Sequence, residues 1–330
     1  MKSKYCPASL ASARTIAADA AGIAEAAAII RGGGIVAFPT ETVYGLAADA
    51  ASEAAVARIY AAKARPTFNP LIAHVASLDA ALEQGFFSAE AQHLAKAFWP
   101  GPLTLVVPLA PGATVCPAAR AGLQSIALRV PVHKVALGLI AAAGRPLAAP
   151  SANRSGRVSP VTAAHVAEDL SDAIDLILDG GRCPMGLEST VIACLEGPPR
   201  LLRPGAIARV DIEAELGLAL VGSAGPIALH SPGMLASHYA PRAKLRLEAK
   251  TLEGSEAGLD FGGIFGKRKN VLDLSASRDL AEAAANLFDF LHELDALGLN
   301  RIAVAPIPFE GLGEAINDRL ARAAAPRGSS

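Results

Sequence analysis

Excess charge and aromatic side chains are both scarce in this sequence of 330 residues. Lys and Arg number 30 and Asp and Glu 31, so the net charge is -1, and aromatic residues make up 5%. Without a positive field the chain cannot hold nucleic acid nonspecifically, and few rings are available to stack on bases. These absences argue against an RNA-binding module, the first alternative we consider. Any anion site must therefore be a local cluster.

Cysteines and long apolar runs are also few. Cys6, Cys116, Cys183 and Cys194 are scattered and form no C-x-x-C pair, which excludes a disulfide framework and a structural zinc site of that kind. The longest apolar runs, such as residues 135–144, are about ten residues long, whereas a membrane span needs about 20. We expect a cytoplasmic protein without a transmembrane helix, and we expect its first residues to be disordered.

Several nucleotide-binding and catalytic motifs are missing. The glycine-rich residues 262–268 lack the spacing and the hydroxyl of a P-loop, and the sequence contains no H-E-x-x-H, G-x-S-x-G or strand-linked G-x-G-x-x-G. A zinc protease, a serine hydrolase and a dinucleotide dehydrogenase therefore lose support.

Short apolar strands alternate with helices along the chain, which predicts an α/β fold. The length predicts about two domains, and 52% hydrophobic residues can fill two cores. A helix is predicted over residues 19–31, stopped by three glycines before a buried strand over 35–38. Further helices are predicted at 52–62, 89–98 and 133–143 and after Thr162, with strands at 71–75, 103–108, 126–130, 147–149, 176–178, 190–194 and 200–202.

A change in composition divides the chain. The first domain is predicted over residues 1–210. Residues 221–243 lose periodicity and gather Gly, Pro, Ser and His, so we assign 211–243 to a linker. A smaller α/β domain is predicted over 244–330, with strands at 244–247 and 302–306 and helices at 279–297 and 312–324.

Polar residues follow several predicted strands, where open α/β sheets bind ligands. Residues 38–46 (FPTETVYGL) bring Thr40 and neighbouring hydroxyls to one strand end, although a turn alone would explain the proline and glycine. Pro66 turns Arg65 out of the helix that carries Lys63, so both cations can meet one anion; a solvated helix end is the alternative.

The loop at residues 150–156 (PSANRSG) offers Ser, Asn and backbone N–H groups suited to phosphate or carboxylate oxygens, with a helix cap as the alternative. The polar triplet at 188–190 and Arg203 also adjoin predicted strands. Arg129 lies inside a buried strand and therefore needs an anionic partner, such as a carboxylate. His74 lies in a similar strand, where a satisfied core histidine is the alternative.

Six motifs occur in one order: FPTETVYGL, KARP with NPLIAHV, WPGPLTLVVP, ALRVP, APSANRSG, and GLESTVI with LLRPG. They resemble the threonylcarbamoyl-AMP synthase family, with its YrdC-like domain, over residues 15–210 or so. SPGMLASHYAP and GLGEAINDRLARAA are similar to its longer, two-domain members. The resemblance implies a YrdC-like twisted open mixed sheet with flanking helices, plus a smaller C-terminal Rossmann-like α/β domain.

The activity that the resemblance implies is the synthesis of L-threonylcarbamoyladenylate and pyrophosphate from L-threonine, bicarbonate and ATP, with Mg²⁺ held by the ATP phosphates rather than by side chains. The product would pass to a tRNA threonylcarbamoyltransferase that modifies the adenosine beside the anticodon. A carbamoyltransferase of the same fold is the second alternative, but such proteins join this domain to zinc fingers, and this chain has no paired C-x-x-C.

The family motifs carry roles onto residues of this chain. Lys63 and Arg65 would stabilise charge on the phosphates. The residues implied to bind ATP are Lys63, Arg65, Ser125, Ser151, Asn153, Ser159, Arg203 and Tyr239, and those implied to bind threonine are Thr40, His74, Arg129 and Ser189. We expect residues 231–241 to form a lid, with 232–234 folding back over the first domain and 235–237 matching relatives least well.

Overall fold

The computed structural model of the chain describes residues 12–222 and 238–326. Its first domain contains, in chain order, β1 (Arg14–Ala17), α1 (Ala20–Arg31), β2 (Val36–Phe38), β3 (Gly45–Asp49), α2 (Glu53–Lys63), β4 (Ile72–His74), α3 (Leu78–Leu82), α4 (Ala89–Phe98), β5 (Leu103–Pro108), β6 (Ser125–Arg129), α5 (Lys134–Ala143), β7 (Leu147–Ala148), α6 (Ala163–Leu170), β8 (Leu176–Asp179), β9 (Thr190–Ala193), β10 (Arg200–Arg203) and α7 (Arg209–Leu216).

The described part of the second domain contains β11 (Lys244–Arg246), β12 (Ala257–Asp260), β13 (Val271–Asp273), α8 (Leu280–Ala296), β14 (Arg301–Val304) and α9 (Gly313–Ala324). Its strands form a parallel sheet in the order β11-β14-β12-β13. The first-domain strands form a mixed sheet in the order β1-β8-β2-β3-β7-β4-β6-β5-β9-β10. The predicted fold, a mixed sheet with helices plus a small separate α/β domain, is confirmed.

Local sequence signals explain where several of the helices begin. The Asp19 side chain accepts a hydrogen bond from the Gly22 amide at 2.8 Å and so caps α1, and Ser52 caps α2 in the same way. Helix α4 and strand β5 have the predicted limits, and the other predicted elements differ from the structure by one or two residues at either end.

Several elements were not predicted. Residues Arg14–Ala17 do not belong to a disordered start, because they form an edge strand parallel to β8. Strand β3 pairs with both β2 and β7 in the middle of the large sheet. Helix α7 continues the chain beyond position 210, and α3, β12 and β13 were also missed.

The two domains are packed against each other. Tyr239 and Phe288 belong to one continuous hydrophobic cluster that extends from the large sheet into the second domain. Arg209 on α7 also pairs with Glu314 on α9 at 2.5 Å. Among the described residues, no helix has the length and apolar character needed to cross a membrane.

Candidate active site

One cavity collects polar side chains from distant parts of the first domain. Strands β4 and β6 run parallel with His74 opposite Arg129, so the ends of both strands face the same space. Gly45 bridges to Ser151, which brings the loops after β2 and β7 together. The cavity is lined by Thr40, Thr42, Val43, Gly45, Arg65, Ile72, His74, Arg129, Ala149, Pro150, Ser151, Glu188, Ser189, Arg203, His238 and Tyr239.

Eight of the twelve predicted site residues line this cavity: Thr40, Arg65, His74, Arg129, Ser151, Ser189, Arg203 and Tyr239. Lys63 and Asn153 do not line the cavity, but the Lys63 ammonium donates to the backbone carbonyls of Ser151, which lines it, and of Asn153. Ser159 is bonded to a lining carboxylate, and Ser125 opens strand β6 at the end opposite Arg129. The structure therefore brings most of the predicted set together, and the role of Ser125 stays a prediction.

Lys63 and Arg65 are buried cations bound to neutral groups. The Lys63 ammonium, on the last residue of α2, donates to the backbone carbonyls of Ser151, at 2.5 Å, and of Asn153. The Arg65 guanidinium donates to the carbonyls of Asn69 and Pro70 at 3.2 and 3.0 Å. Within residues 12–222 and 238–326, neither cation forms an ion pair with a carboxylate.

Burial of these cations is electrostatically unfavourable. It lowers the pKa of Arg65 to about 10, and it lowers the pKa of Lys63 well below its usual value, to which the Arg65 charge adds. Buried charges usually require a partner of opposite sign. The arrangement is therefore typical of a site whose counterion is a bound anion.

Arg129 has a partner that the sequence did not assign. Its guanidinium donates to the Glu41 carboxylate, to the Thr42 hydroxyl at 3.0 Å and to the Gly101 carbonyl at 3.3 Å. The anionic partner expected for a buried arginine is thus Glu41, which lies inside the motif at 38–46. A guanidinium has five N–H donors, so two remain for a ligand carboxylate.

The hydroxyl groups of Thr40 and Ser189 have different hydrogen-bond partners. Thr40 Oγ1 contacts Thr42 Oγ1 at 2.8 Å and donates to the Val43 carbonyl at 2.7 Å, so it stabilises its own turn. Ser189 Oγ lies 2.7 Å from Thr104 Oγ1 and also accepts from Arg203 at 3.2 Å. Ser189 is therefore held by two neighbouring side chains at the cavity wall.

His74 is an uncharged imidazole in this cavity. It is 3% exposed, and burial together with the adjacent Arg129 charge lowers its pKa to about 3. Its Nδ1 atom has no hydrogen-bond partner among the described residues. The uncharged imidazole can therefore form a hydrogen bond with a ligand.

Glu188 joins the cavity to the second domain. One carboxylate oxygen accepts from Ser159 Oγ at 2.6 Å, and the other accepts from Arg319 Nε at 2.9 Å. Burial alone would raise the pKa of Glu188, but Arg319 and Arg203 outweigh it and lower that pKa to about 2. Glu188 lies in the polar triplet at 188–190, whereas nothing in the sequence indicates that Arg319 reaches it.

Tyr239 closes one side of the cavity. It has a positive φ of 64°, its side chain is 1% exposed, and its ring stacks on Phe288 with centroids 5.6 Å apart. This residue belongs to the expected lid at 231–241. Positions 231–237, including 232–234 and 235–237, lie outside the described residues.

Unsatisfied polar atoms are concentrated around the cavity. Glu41 Oε2, His74 Nδ1, His238 Nδ1 and the Tyr239 hydroxyl are buried without a hydrogen-bond partner in the part of the chain that the structure describes. Such atoms are uncommon in folded proteins and call for a partner. Together with the cations they define an α/β protein whose buried site binds a polar, anionic small molecule.

The chain belongs to the threonylcarbamoyl-AMP synthase family, as its motifs indicated. A family model described as Telomere recombination, which covers the Sua5, YciO and YrdC proteins, matches residues 28–205. A second, described as Threonylcarbamoyl-AMP synthase, C-terminal domain, matches residues 207–325.

The match to individual relatives extends over nearly the whole chain. The threonylcarbamoyl-AMP synthase of Bacillus subtilis is 42% identical, with 92% of this chain and 93% of the relative covered. That of Pyrococcus abyssi is 42% identical over 90% of this chain and 92% of its own. The solved structure of P. abyssi Sua5 complexed with L-threonine superimposes with a TM-score of 0.84 at 40% identity, covering 92% of this chain and 94% of that chain.

Proposed function

We propose that this chain is an enzyme that condenses L-threonine, bicarbonate and ATP into L-threonylcarbamoyladenylate and pyrophosphate. The observation that carries the proposal is the pair of buried cations, Lys63 and Arg65, which have only carbonyl partners in the described chain, beside a second set of polar groups around Arg129. An ATP triphosphate supplies the missing negative charge. The relative solved with L-threonine supports L-threonine as a substrate.

The reaction balances without a side-chain nucleophile. The threonine amine and bicarbonate form a carbamate and water. A carbamate oxygen then attacks the α-phosphorus of ATP, the bond from that phosphorus to the β-phosphate bridging oxygen breaks, and pyrophosphate leaves. Negative charge builds up on the phosphates during this step, so the residues of the chain act by binding, orientation and electrostatic stabilisation.

Residue roles follow from position. Arg65, Arg203 and the third N–H donor of Lys63 contact the phosphates, and Lys63 also fixes the loop carrying Ser151 and Asn153 through its two carbonyl contacts. Arg129 binds the threonine carboxylate with its remaining donors, because a planar guanidinium suits a carboxylate. Neutral His74 and the hydroxyl of Ser189 bind the polar groups of the amino acid.

Magnesium enters this scheme with the nucleotide. The carboxylates nearest the cavity, Glu41 and Glu188, are each already bound to an arginine, and no cluster of three acidic, His or Cys ligands exists within the described ranges. Mg²⁺ commonly binds phosphates and keeps several waters. Mg²⁺ would therefore enter the site bound to ATP, where it would offset the negative charge of the phosphates.

The lid and the cellular setting complete the proposal. A carbamate and a mixed anhydride both react with water, so the site must close. Tyr239 already lies over the cavity, which supports residues 231–241 as the lid. Cys116, Cys183 and Cys194 are free thiols, which is typical of cytoplasmic proteins. The adenylate product would pass to a tRNA threonylcarbamoyltransferase.

The test is pyrophosphate release from ATP with each amino acid in turn, with and without bicarbonate, and mass detection of the adenylate. We expect release that needs both threonine and bicarbonate, and a loss of about 10²-fold or more in Lys63→Ala. Lys96→Ala is the matched control, because Lys96 is also in the last turn of a helix but is exposed. Turnover without threonine, consumption of carbamoyl phosphate instead, or tight RNA binding without turnover would overturn the proposal.

A further inference from the structure

Arg319 is a fully buried arginine that reaches from the second domain to the cavity of the first. It lies on α9 and is 0% exposed. Its Nε atom donates to Glu188 at 2.9 Å, across 131 positions of sequence, and its guanidinium carbon lies 5.1 Å from the centroid of the Tyr239 ring. A single side chain thus contacts two residues that line the cavity.

Both residues contacted by Arg319 belong to the nucleotide side of the proposed site. Glu188 accepts the hydroxyl hydrogen bond of Ser159, so its orientation fixes that hydroxyl. The Tyr239 ring contacts both the Arg319 guanidinium and the Phe288 ring. Phe288 also lies in the second domain, so two contacts of the Tyr239 ring come from that domain.

The chemistry of these contacts favours positioning over general stability. A carboxylate buried beside a cavity has several possible orientations unless a directional donor selects one, and arginine supplies a planar, directional donor. A cation over an aromatic face likewise restricts the ring. Asp318 pairs with Nη1 at 2.7 Å and so fixes the guanidinium itself.

We infer that Arg319 is a positioning residue for nucleotide binding, holding Glu188 and Tyr239 in place, and that the second domain is thereby part of the active site. The inference rests on the proposed function for the identity of the nucleotide. It also gives the second domain a direct role in the activity of the first.

The experiment compares full-length wild-type protein with Arg319→Met, Glu188→Gln and the double variant. Pyrophosphate release gives the KM values for ATP and threonine, and calorimetry gives ATP affinity independently of turnover. We expect Arg319→Met to raise the KM for ATP about tenfold or more, the scale of a small misplacement of binding groups, while the KM for threonine stays within about twofold. The double variant should lose no more than the worse single variant, because the two residues act as a unit.

Arg209→Met is the matched control. Arg209 pairs with Glu314 across the same domain interface, but both side chains are about one-third exposed and neither lines the cavity. We expect its KM for ATP to stay near the wild-type value. A purely structural role for Arg319 would lower the fraction of active protein, and hence kcat, without moving either KM.

The outcomes separate this inference from the proposed function. Equal ATP affinity in the wild type and Arg319→Met, additive losses in the double variant, or an equal effect of Arg209→Met would each overturn the positioning role. A wild-type protein that binds ATP but releases no pyrophosphate with threonine and bicarbonate would refute the proposed function, and the calorimetric comparison would still decide the role of Arg319.

Discussion

Replacing Arg65 with methionine should leave the unliganded protein about as stable as before while removing most of its activity. The drop in the Arg65 pKa to about 10 corresponds to about 3 kcal/mol of unfavourable free energy for the buried charged group. Methionine removes this cost but also loses two hydrogen bonds to the carbonyls of Asn69 and Pro70, at about 1.5 kcal/mol each for a charged donor. The two effects nearly cancel, so we expect a net change within about 1 kcal/mol.

The liganded state should behave differently. ATP at about 100 times its dissociation constant should stabilise the wild-type protein by about 2.7 kcal/mol, and the variant should lose most of this gain at the same concentration. Turnover should fall by about 10²-fold, the scale of losing one donor to developing charge. Urea unfolding with and without ATP measures the first effect, and pyrophosphate release measures the second.

The control for this substitution is Arg58→Met on α2, the helix that ends just before Arg65. Arg58 pairs with Asp175 at 2.9 Å but is 41% exposed and lies outside the cavity. We expect Arg58→Met to lose less than about 1 kcal/mol of stability and to keep the turnover of the wild-type protein. The reasoning is refuted if Arg65→Met loses several kcal/mol without ligand yet keeps its turnover, because Arg65 would then be a structural residue.

Three other substitutions test neighbouring contacts. Burial would raise the pKa of Glu188, but neighbouring arginines outweigh burial and lower this pKa to about 2. The wild-type protein should therefore have a larger unfolding free energy than Glu188→Gln above pH 4.5, and this difference should shrink by about 1.4 kcal/mol per pH unit as the pH falls towards 2. Urea unfolding of both proteins at each pH measures the difference. Ser189→Ala should reduce the kcat/KM preference for threonine over 2-aminobutyrate by about tenfold, and an unchanged ratio would exclude Ser189 from reading the hydroxyl. Gly186→Ala, at φ 67° and with a new Cβ 2.5 Å from carbonyl oxygens on α8, should lose about 1–3 kcal/mol of stability in urea unfolding, whereas the unobstructed Gly112→Ala should change little.

Several of the correctly predicted helices have local signals at their ends. Helix α1 has a capping Asp19 and a terminal run of glycines, and α4 has a capping Ser88. Strand β3 had no such signal, because GLAAD is a run of small residues that follows a polar loop directly. Its place in the sheet depends on pairing with β2 and β7, and nothing in the local sequence specifies those partners.

The same distinction applies to the site. His74 and Arg129 could be chosen from the sequence because polar residues inside apolar strands need partners, and the register of β4 and β6 then places them side by side. The sequence does not identify Glu41 as the partner of Arg129, although Glu41 lies in the motif at 38–46, because the pairing of the two residues depends on tertiary structure. Arg319 could not be found, because on an amphipathic helix an arginine ordinarily faces solvent, and only tertiary packing reveals that this one is buried.

The charges around the cavity explain how a chain with a net charge of -1 can bind a polyanion. The cavity carboxylates are not free to neutralise Lys63 and Arg65, because Glu41 is bound to Arg129 and Glu188 to Arg319. If Arg319 were absent, Glu188 would be left for the cations of the cavity, and the site would become less positive. The second domain therefore contributes more than a cover over the cavity. By binding Glu188 it helps to preserve positive charge at the place where the triphosphate is proposed to lie.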